Sequence, residues 1–138
     1  MIIGIDLGTT NSLAAYYTDQ GPKIIPNGLG KNLTPSVVSI DENDQIYVGE
    51  TAKERMLLAP ESTAAVFKRD MGSKKEFRLL HKTFTVEELS SFVLRALKED
   101  AESFLGCPVE EAVISVPTAA AVAYGLYSEQ RGRKVFGI

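Results

Sequence analysis

The sequence predicts an α/β fold in which strands from both ends of the chain form one sheet against a long helix. Three observations carry this prediction. An apolar run at Ile2–Ile5 is typical of a buried strand. A capped amphipathic pattern spans Thr85–Leu105, and a second apolar run, Ala112–Val116, has the pattern of a strand covered on both faces. We expect the two apolar runs to lie side by side in one sheet that packs against this helix.

The first strands are separated by short connections, which favours a β-meander. Leu13–Tyr17 and Lys23–Ile25 are the second and third strand candidates. A loop rich in Pro, Asn and Gly follows at residues 26–30. Ser36–Ile40 and Gln45–Val48 are the next two predicted strands, and the polar residues between them indicate a turn.

A small satellite subdomain is expected from about Ser39 to Phe84, inserted between residues 1–38 and 85–138 of the main lobe. Gly49–Leu58 is predicted to be a helix that turns Ala52, Met56 and Leu57 inward and ends before Pro60. Thr63–Phe67 is a short apolar run, and Ser73–Lys82 is polar and weakly strand-like.

The helix that begins at Thr85 has the strongest local signals. Thr85 and Glu88 fit a capping box, in which each side chain bonds the other residue's backbone N–H. Apolar residues then recur every three to four positions and form one stripe, and Gly106 and Pro108 end the helix. The stripe consists of Leu89, Val93, Leu97, Ala101 and Phe104.

The last third of the chain combines one strand with a helix. Pro117 ends the Ala112–Val116 strand, and the Ala-rich segment Thr118–Tyr127 is predicted to be helical with a weak point at Gly125. Glu129–Lys134 is polar and is expected to fray.

Composition excludes several functional classes. The 138 residues carry a formal net charge of −3 and no long basic run, which argues against nucleic-acid binding. No uncharged apolar run is long enough to cross a membrane, and the first residues lack the basic start of a signal peptide. The lone Cys107 has no partner for an internal disulfide, and together these observations predict a soluble cytoplasmic protein. We expect Cys107 to be half-buried and His81 to be exposed.

The segment between the first two strands has the chemistry of a phosphate-binding turn. Gly8 allows a close approach of backbone to an anion, and Thr9 and Thr10 add hydroxyl donors to the N–H groups of a tight turn. Asp6, at the end of a buried strand, can hold magnesium directly or through water. An ordinary β-hairpin turn explains the same residues, and the spacing alone does not separate the two interpretations.

Five segments carry a resemblance to a known family: Gly4–Ser12, Leu33–Val38, Phe67–Gly72, Val113–Pro117 and Pro117–Leu126. In this order they resemble segments of the heat-shock-70 (DnaK-type) chaperone family, and their sequence is most similar to its HscC-like branch. The first resembles the phosphate loop shared by actin, the sugar kinases and this family. The others resemble the strand entering the second subdomain, the segment of the active-site lysine, the strand of the switch proline and the Ala-rich helix.

The resemblance implies an actin-like ATPase lobe of the ribonuclease-H-like type, with ATP or ADP and Mg²⁺ as cofactors. It also implies unfolded peptides, a J-domain co-chaperone and a nucleotide exchange factor as partners, and a role in the stress response. Asp6 would hold Mg²⁺ through water, and Lys68 would be the catalytic residue that faces the γ-phosphate. Pro117 would relay the nucleotide state to the substrate-binding half. The phosphates themselves would be bound by Gly8, Thr9, Thr10 and Asn11.

The chain departs from the family pattern after Pro117, where about one βα unit, on the order of 30 residues, is missing. The resemblance also ends before the family's second phosphate loop. We therefore expect an N-terminal part of the ATPase domain that binds nucleotide weakly and does not hydrolyse ATP alone. A rival hypothesis is a non-enzymatic module that forms a homodimer through the sheet edge freed beside Ala112–Val116. A fragment of an actin-like sugar or acetate kinase is the third.

Overall fold

The computed structural model describes residues 1–70, 72–115, 127–130 and 133–137. The main sheet in these residues has the strand order β11-β12-β10-β1-β2-β3, with β4 also paired to β2. Its strands are β1 (Ile2–Leu7), β2 (Asn11–Thr18), β3 (Gly21–Ile25), β4 (Thr34–Pro35), β10 (Glu111–Ser115), β11 (Tyr127–Gln130) and β12 (Arg133–Gly137).

A second, three-stranded sheet and a hairpin follow β4 in the chain. The second sheet has the order β6-β5-β7, and β8 pairs with β9 in the hairpin. These strands are β5 (Val37–Ile40), β6 (Ile46–Val48), β7 (Thr63–Ala65), β8 (Glu76–Leu79) and β9 (Lys82–Thr85). The helices are α1 (Glu50–Leu58), two 3-10 turns at Pro60–Ser62 and Phe67–Asp70, and α2 (Val86–Leu105).

The pairing of the two apolar runs is confirmed. β1 and β10 are parallel neighbours, with Ile3 opposite Ala112 and Ile5 opposite Ile114. The β1-β2-β3 meander is also confirmed, since both of its pairings are antiparallel. The fold is therefore the mixed α/β architecture that the sequence predicts.

The long helix forms as its capping signals predict. The Thr85 hydroxyl accepts from the Glu88 N–H at 3.1 Å, and the Glu88 carboxylate accepts from the Thr85 N–H at 3.2 Å. Gly106 closes the other end in the left-handed conformation, with φ 70°. Between the caps, Leu89, Val93, Leu97 and Ala101 are buried in one hydrophobic core with the inner face of β1. Phe104, the last residue of the predicted stripe, is half-exposed and its ring lies 6.1 Å from that of Tyr16.

The prediction that Leu57 points inward is wrong, because its side chain is 86% exposed. Arg55 takes the inner position one turn after the buried Ala52. Its guanidinium donates to the Ser39 hydroxyl at 2.9 Å and to the Ile40 carbonyl at 3.1 Å. These hydrogen bonds set the rotation of α1 and turn its last leucines to solvent.

The prediction that Glu129–Lys134 frays is also wrong for the residues of that range that the structure describes. Tyr127–Gln130 and Arg133–Gly137 form the antiparallel pair β11 and β12, and β12 pairs with β10. The edge of β10 that was expected to be free is therefore occupied by the same chain, since β12 supplies the missing hydrogen-bond partners. The predicted helix Thr118–Tyr127 lies outside the described residues except for Tyr127, which begins β11.

Within the described residues, neither helix is both long enough and apolar enough to span a membrane. Cys107 is half-buried, as predicted. His81 is exposed, as predicted, and its Nε2 lies 2.8 Å from a carboxylate oxygen of Asp44.

Candidate functional site

The candidate phosphate turn connects β1 to β2 in a tight hairpin. The register places Leu7 opposite Ser12, so residues 8–11 make the reversal. Gly8 and Thr9 are half-buried, whereas Thr10 and Asn11 are exposed. The turn is therefore a small, accessible loop at the carboxyl end of a buried strand.

Glycine is required at position 8 because the backbone of Asn11 lies very close to it. A Cβ atom at Gly8 would overlap the backbone carbonyl oxygen of Asn11. No side-chain rotamer could relieve that overlap, because the backbone fixes the position of a Cβ atom and the carbonyl oxygen is itself a backbone atom. The close approach explains why the sequence has glycine here.

A buried serine that the sequence analysis did not select anchors the turn from behind. Ser36, between β4 and β5, donates its N–H to the Thr10 carbonyl at 2.9 Å. Its hydroxyl donates to the Gly8 carbonyl at 2.8 Å and lies 2.8 Å from the Ser12 hydroxyl. Ser12 and Ser36 are 24 residues apart in the sequence, and only the fold brings their side chains together.

Asp6 lies beside the turn, near the end of β1. Its backbone is opposite Leu13 on one side and Ser115 of the parallel strand β10 on the other. The residue is exposed, so its carboxylate is accessible to an ion. In the described residues, no group of three or more His, Cys, Asp or Glu side chains is arranged to hold a metal.

A single accessible carboxylate suits magnesium that arrives with a nucleotide. Mg²⁺ keeps several water ligands and is usually held by one or two carboxylates together with substrate phosphates. Asp6 meets that requirement, and a dedicated protein cage would not be needed. The residues therefore fit Mg²⁺ bound to nucleotide rather than a resident metal.

Lys68 is half-buried in the 3-10 turn Phe67–Asp70, which contacts α2. The antiparallel pairing of Val37 with Ala65 places the end of β7 beside the start of β5. Since Ser36 directly precedes β5, the turn that carries Lys68 begins on the same side of the second sheet as the phosphate turn. Asp6 and residues 8–11 are adjacent in the β1–β2 hairpin, whereas Lys68 lies in a separate element, three residues after Ala65.

Pro117, the predicted switch residue, lies outside the described residues. The strand that leads to it ends at Ser115, opposite Asp6.

Comparison with known proteins gives a consistent result. A family model described as "Hsp70 protein" matches residues 2–78 and 74–118. The chaperone protein DnaK of Thermotoga neapolitana is 38% identical over 164 residues, covering 97% of this chain and 28% of the relative. DnaK of Thermotoga petrophila is 42% identical over 138 residues, covering 99% and 22%. DnaK of Thermoplasma acidophilum is 46% identical over 120 residues, covering 84% and 20%. The chain spans about a quarter of the length of these relatives.

The alignment with the Thermotoga neapolitana protein contains a length difference. The matched 97% of this 138-residue chain is about 134 residues, so about 30 of the 164 aligned positions have no counterpart here. That difference has the size of the βα unit that is expected to be missing, but the alignment with the Thermotoga petrophila protein, 138 positions over 99% of this chain, contains no gap of that size.

Proposed function

The chain belongs to the Hsp70 protein family, and on that premise we propose that it carries the first phosphate-binding half of an ATP-dependent molecular chaperone's nucleotide site. The observation that carries the proposal is the β1–β2 turn, which is tight, accessible and adjacent to the exposed Asp6. The family has the actin-like ATPase fold. We propose the main lobe at residues 1–38 and 85–138 and the satellite subdomain at residues 39–84.

In this proposal, Thr9, Thr10 and Asn11 contact the β- and γ-phosphates of ATP or ADP. Backbone N–H groups of a tight turn and nearby hydroxyls are suited to phosphate oxygens. Asp6 holds the nucleotide's Mg²⁺ through its water ligands. Lys68 approaches the γ-phosphate and orients the attacking water, and its positive charge stabilises the charge that develops there.

The 138-residue polypeptide on its own should bind nucleotide weakly and should not hydrolyse ATP. Phosphoryl transfer depends on groups placed around the phosphate from several directions. The described residues supply one turn, one carboxylate and one lysine. The proposal for the whole chaperone also includes the switch role of Pro117 and a cytoplasmic location. Its proposed partners are peptide substrates, a J-domain co-chaperone and an exchange factor.

Titration with a fluorescent ATP analogue and Mg²⁺ tests the binding proposal. Weak, saturable binding that Asp6→Ala reduces is the expected result, because removal of the carboxylate removes the Mg²⁺ contact. The matched control is Asp19→Ala, in the β2–β3 turn at the other end of β2. Equal binding by the unaltered protein and Asp6→Ala would argue against this site.

A steady-state ATPase assay on the same polypeptide tests the second half of the proposal. No turnover above background is expected. Turnover that disappears in both Asp6→Ala and Lys68→Ala would contradict the incompleteness argument, because the activity would then arise from this site.

A homodimer is the second candidate function, and an exposed apolar surface supports it. Ile2, Tyr17 and Ile24 lie on the outer face of the main sheet and are 44%, 72% and 44% exposed. A groove of about 520 Å³ lies beside them and is lined by Ile2, Ile3, Tyr17 and Val113. Burial of such side chains against a second copy would stabilise a dimer. Light scattering at high concentration should detect a dimer, and a monomer would exclude it.

A further inference from the structure

One buried residue, Ser36, holds two backbone carbonyl groups of the candidate phosphate turn, those of Gly8 and Thr10. Ser36 is 2% exposed. Its N–H is bonded to the Thr10 carbonyl and its hydroxyl to the Gly8 carbonyl, at 2.9 and 2.8 Å. Ser36 is 24 residues from its neighbour Ser12, so these bonds depend on the folded β4 strand rather than on the turn's own sequence.

The hydroxyls of Ser12 and Ser36 form a chain of two hydrogen bonds in which the donors can be assigned. A hydroxyl has a single hydrogen, and that of Ser36 is donated to Gly8. The hydrogen between the two serines must therefore come from Ser12, whose Oγ lies 2.8 Å from that of Ser36. Both side chains are almost fully buried, so water does not compete for these bonds.

The orientation of the carbonyls decides where the turn's donors point. The described residues contain no cis peptide bond, and in a trans peptide the N–H points opposite to the carbonyl of the same unit. Because the Gly8 carbonyl points to Ser36, the Thr9 N–H points away from it. Because the Thr10 carbonyl points to Ser36, the Asn11 N–H also points away from it.

We infer that Ser36 is a positioning residue that keeps the N–H groups of Thr9 and Asn11 turned outward to receive the phosphates of a nucleotide. The inference rests on the proposed function, because it names the residue that prepares that site. Ser36 itself does not touch the ligand. It acts by excluding the alternative in which either peptide unit flips and presents a carbonyl, which repels phosphate.

The test is an amide NMR titration of the 138-residue protein with MgADP, comparing the unaltered chain with Ser36→Ala, Ser36→Thr and Ser12→Ala. Ser36→Ala should weaken MgADP binding by about tenfold and shift the amide resonances of Thr9 and Asn11 before ligand is added. Ser36→Thr, which keeps the hydroxyl, should restore most of the affinity. Ser12→Ala should have a smaller effect, because it removes only the bond behind Ser36.

Ser62→Ala is the matched control. Ser62 is 1% exposed, and its hydroxyl donates to the Ala59 carbonyl at 2.9 Å, away from the turn. It should lower stability by about as much as Ser36→Ala but leave MgADP binding within about twofold. A loss of affinity that follows stability alone, equal in both variants, would show a merely structural role.

The outcomes separate this inference from the proposed function. Failure of the unaltered chain to bind MgADP would overturn both. Binding by the unaltered chain that Ser36→Ala leaves unchanged would overturn the inference alone. Loss of binding in Ser36→Ala, rescue in Ser36→Thr and retention in Ser62→Ala would support it.

Discussion

Substitution of Gly8 by alanine should damage the phosphate turn far more than the same substitution at Gly4, four residues earlier. At Gly8 a Cβ atom, whose position the backbone fixes, would overlap the backbone carbonyl oxygen of Asn11. At Gly4 the nearest heavy atom to an added Cβ is the Ala15 carbonyl oxygen, at 3.9 Å, an ordinary contact. The two glycines lie at the same end of the chain, one in β1 and one directly after it, which makes Gly4→Ala a matched control.

The magnitude follows from the displacement that the overlap requires. To restore ordinary contact, the ends of the turn must separate by on the order of 1 Å. Overpacking of this kind costs about 1–3 kcal/mol of folding free energy. A displacement that breaks one hydrogen bond to a charged phosphate oxygen removes a further 1.5–3 kcal/mol, roughly, from binding, which is about 10- to 100-fold in affinity.

Chemical denaturation and titration with MgADP give the two readouts. Gly8→Ala should remain folded at moderate cost but lose most of its nucleotide affinity, while Gly4→Ala should match the unaltered protein in both. If Gly8→Ala bound MgADP as tightly as Gly4→Ala, the close approach would not matter for the ligand, and our assignment of the turn would be refuted.

Three further predictions concern stability and can be checked by denaturation. Thr85→Ala removes the hydroxyl that caps Glu88 and should cost about 0.5–2 kcal/mol; no change would mean that the capping box does not stabilise the helix. Leu97→Ala, at a 2% exposed core position, should cost about 2–5 kcal/mol, whereas Leu57→Ala, 86% exposed, should stay within about 0.5 kcal/mol; equal losses would contradict the observed rotation of the helices. Burial raises the pKa of Asp100, so its ionisation disfavours the folded state and Asp100→Asn should gain relative stability as pH rises above about 4; a gain that is the same at every pH would contradict this.

The elements with strong local signals were predictable from sequence. The capping box at Thr85 and the left-handed Gly106 define the two ends of α2, and both depend only on neighbouring residues. The apolar runs of β1 and β10 predicted two buried strands, and the actin-like fold that the family resemblance implies predicted their pairing. The family resemblance, carried by five segments, agrees with the family model match.

Other features depend on contacts between distant residues. The role of Ser36 arises only when β4 lies against β2 and brings its hydroxyl to Gly8. The exposure of Leu57 follows from the hydrogen bonds of Arg55, because a polar residue took the inner position that hydrophobicity would assign to leucine. The strand Arg133–Gly137 forms because β10 needs a partner, and its charged start suggested a frayed end. The roles of the site residues stay predictions.

The measurement that most directly tests the central claim is paramagnetic broadening by MnADP, with Mn²⁺ in place of Mg²⁺. If Asp6 and the turn hold the metal and the phosphates, the amide resonances of Asp6 and residues 8–11 should broaden first as MnADP is added, and excess MgADP should reverse the effect. The Asp6→Ala variant should need much more MnADP for the same broadening. Broadening that begins elsewhere on the protein, or that is the same in the Asp6→Ala variant, would contradict a nucleotide site at this turn.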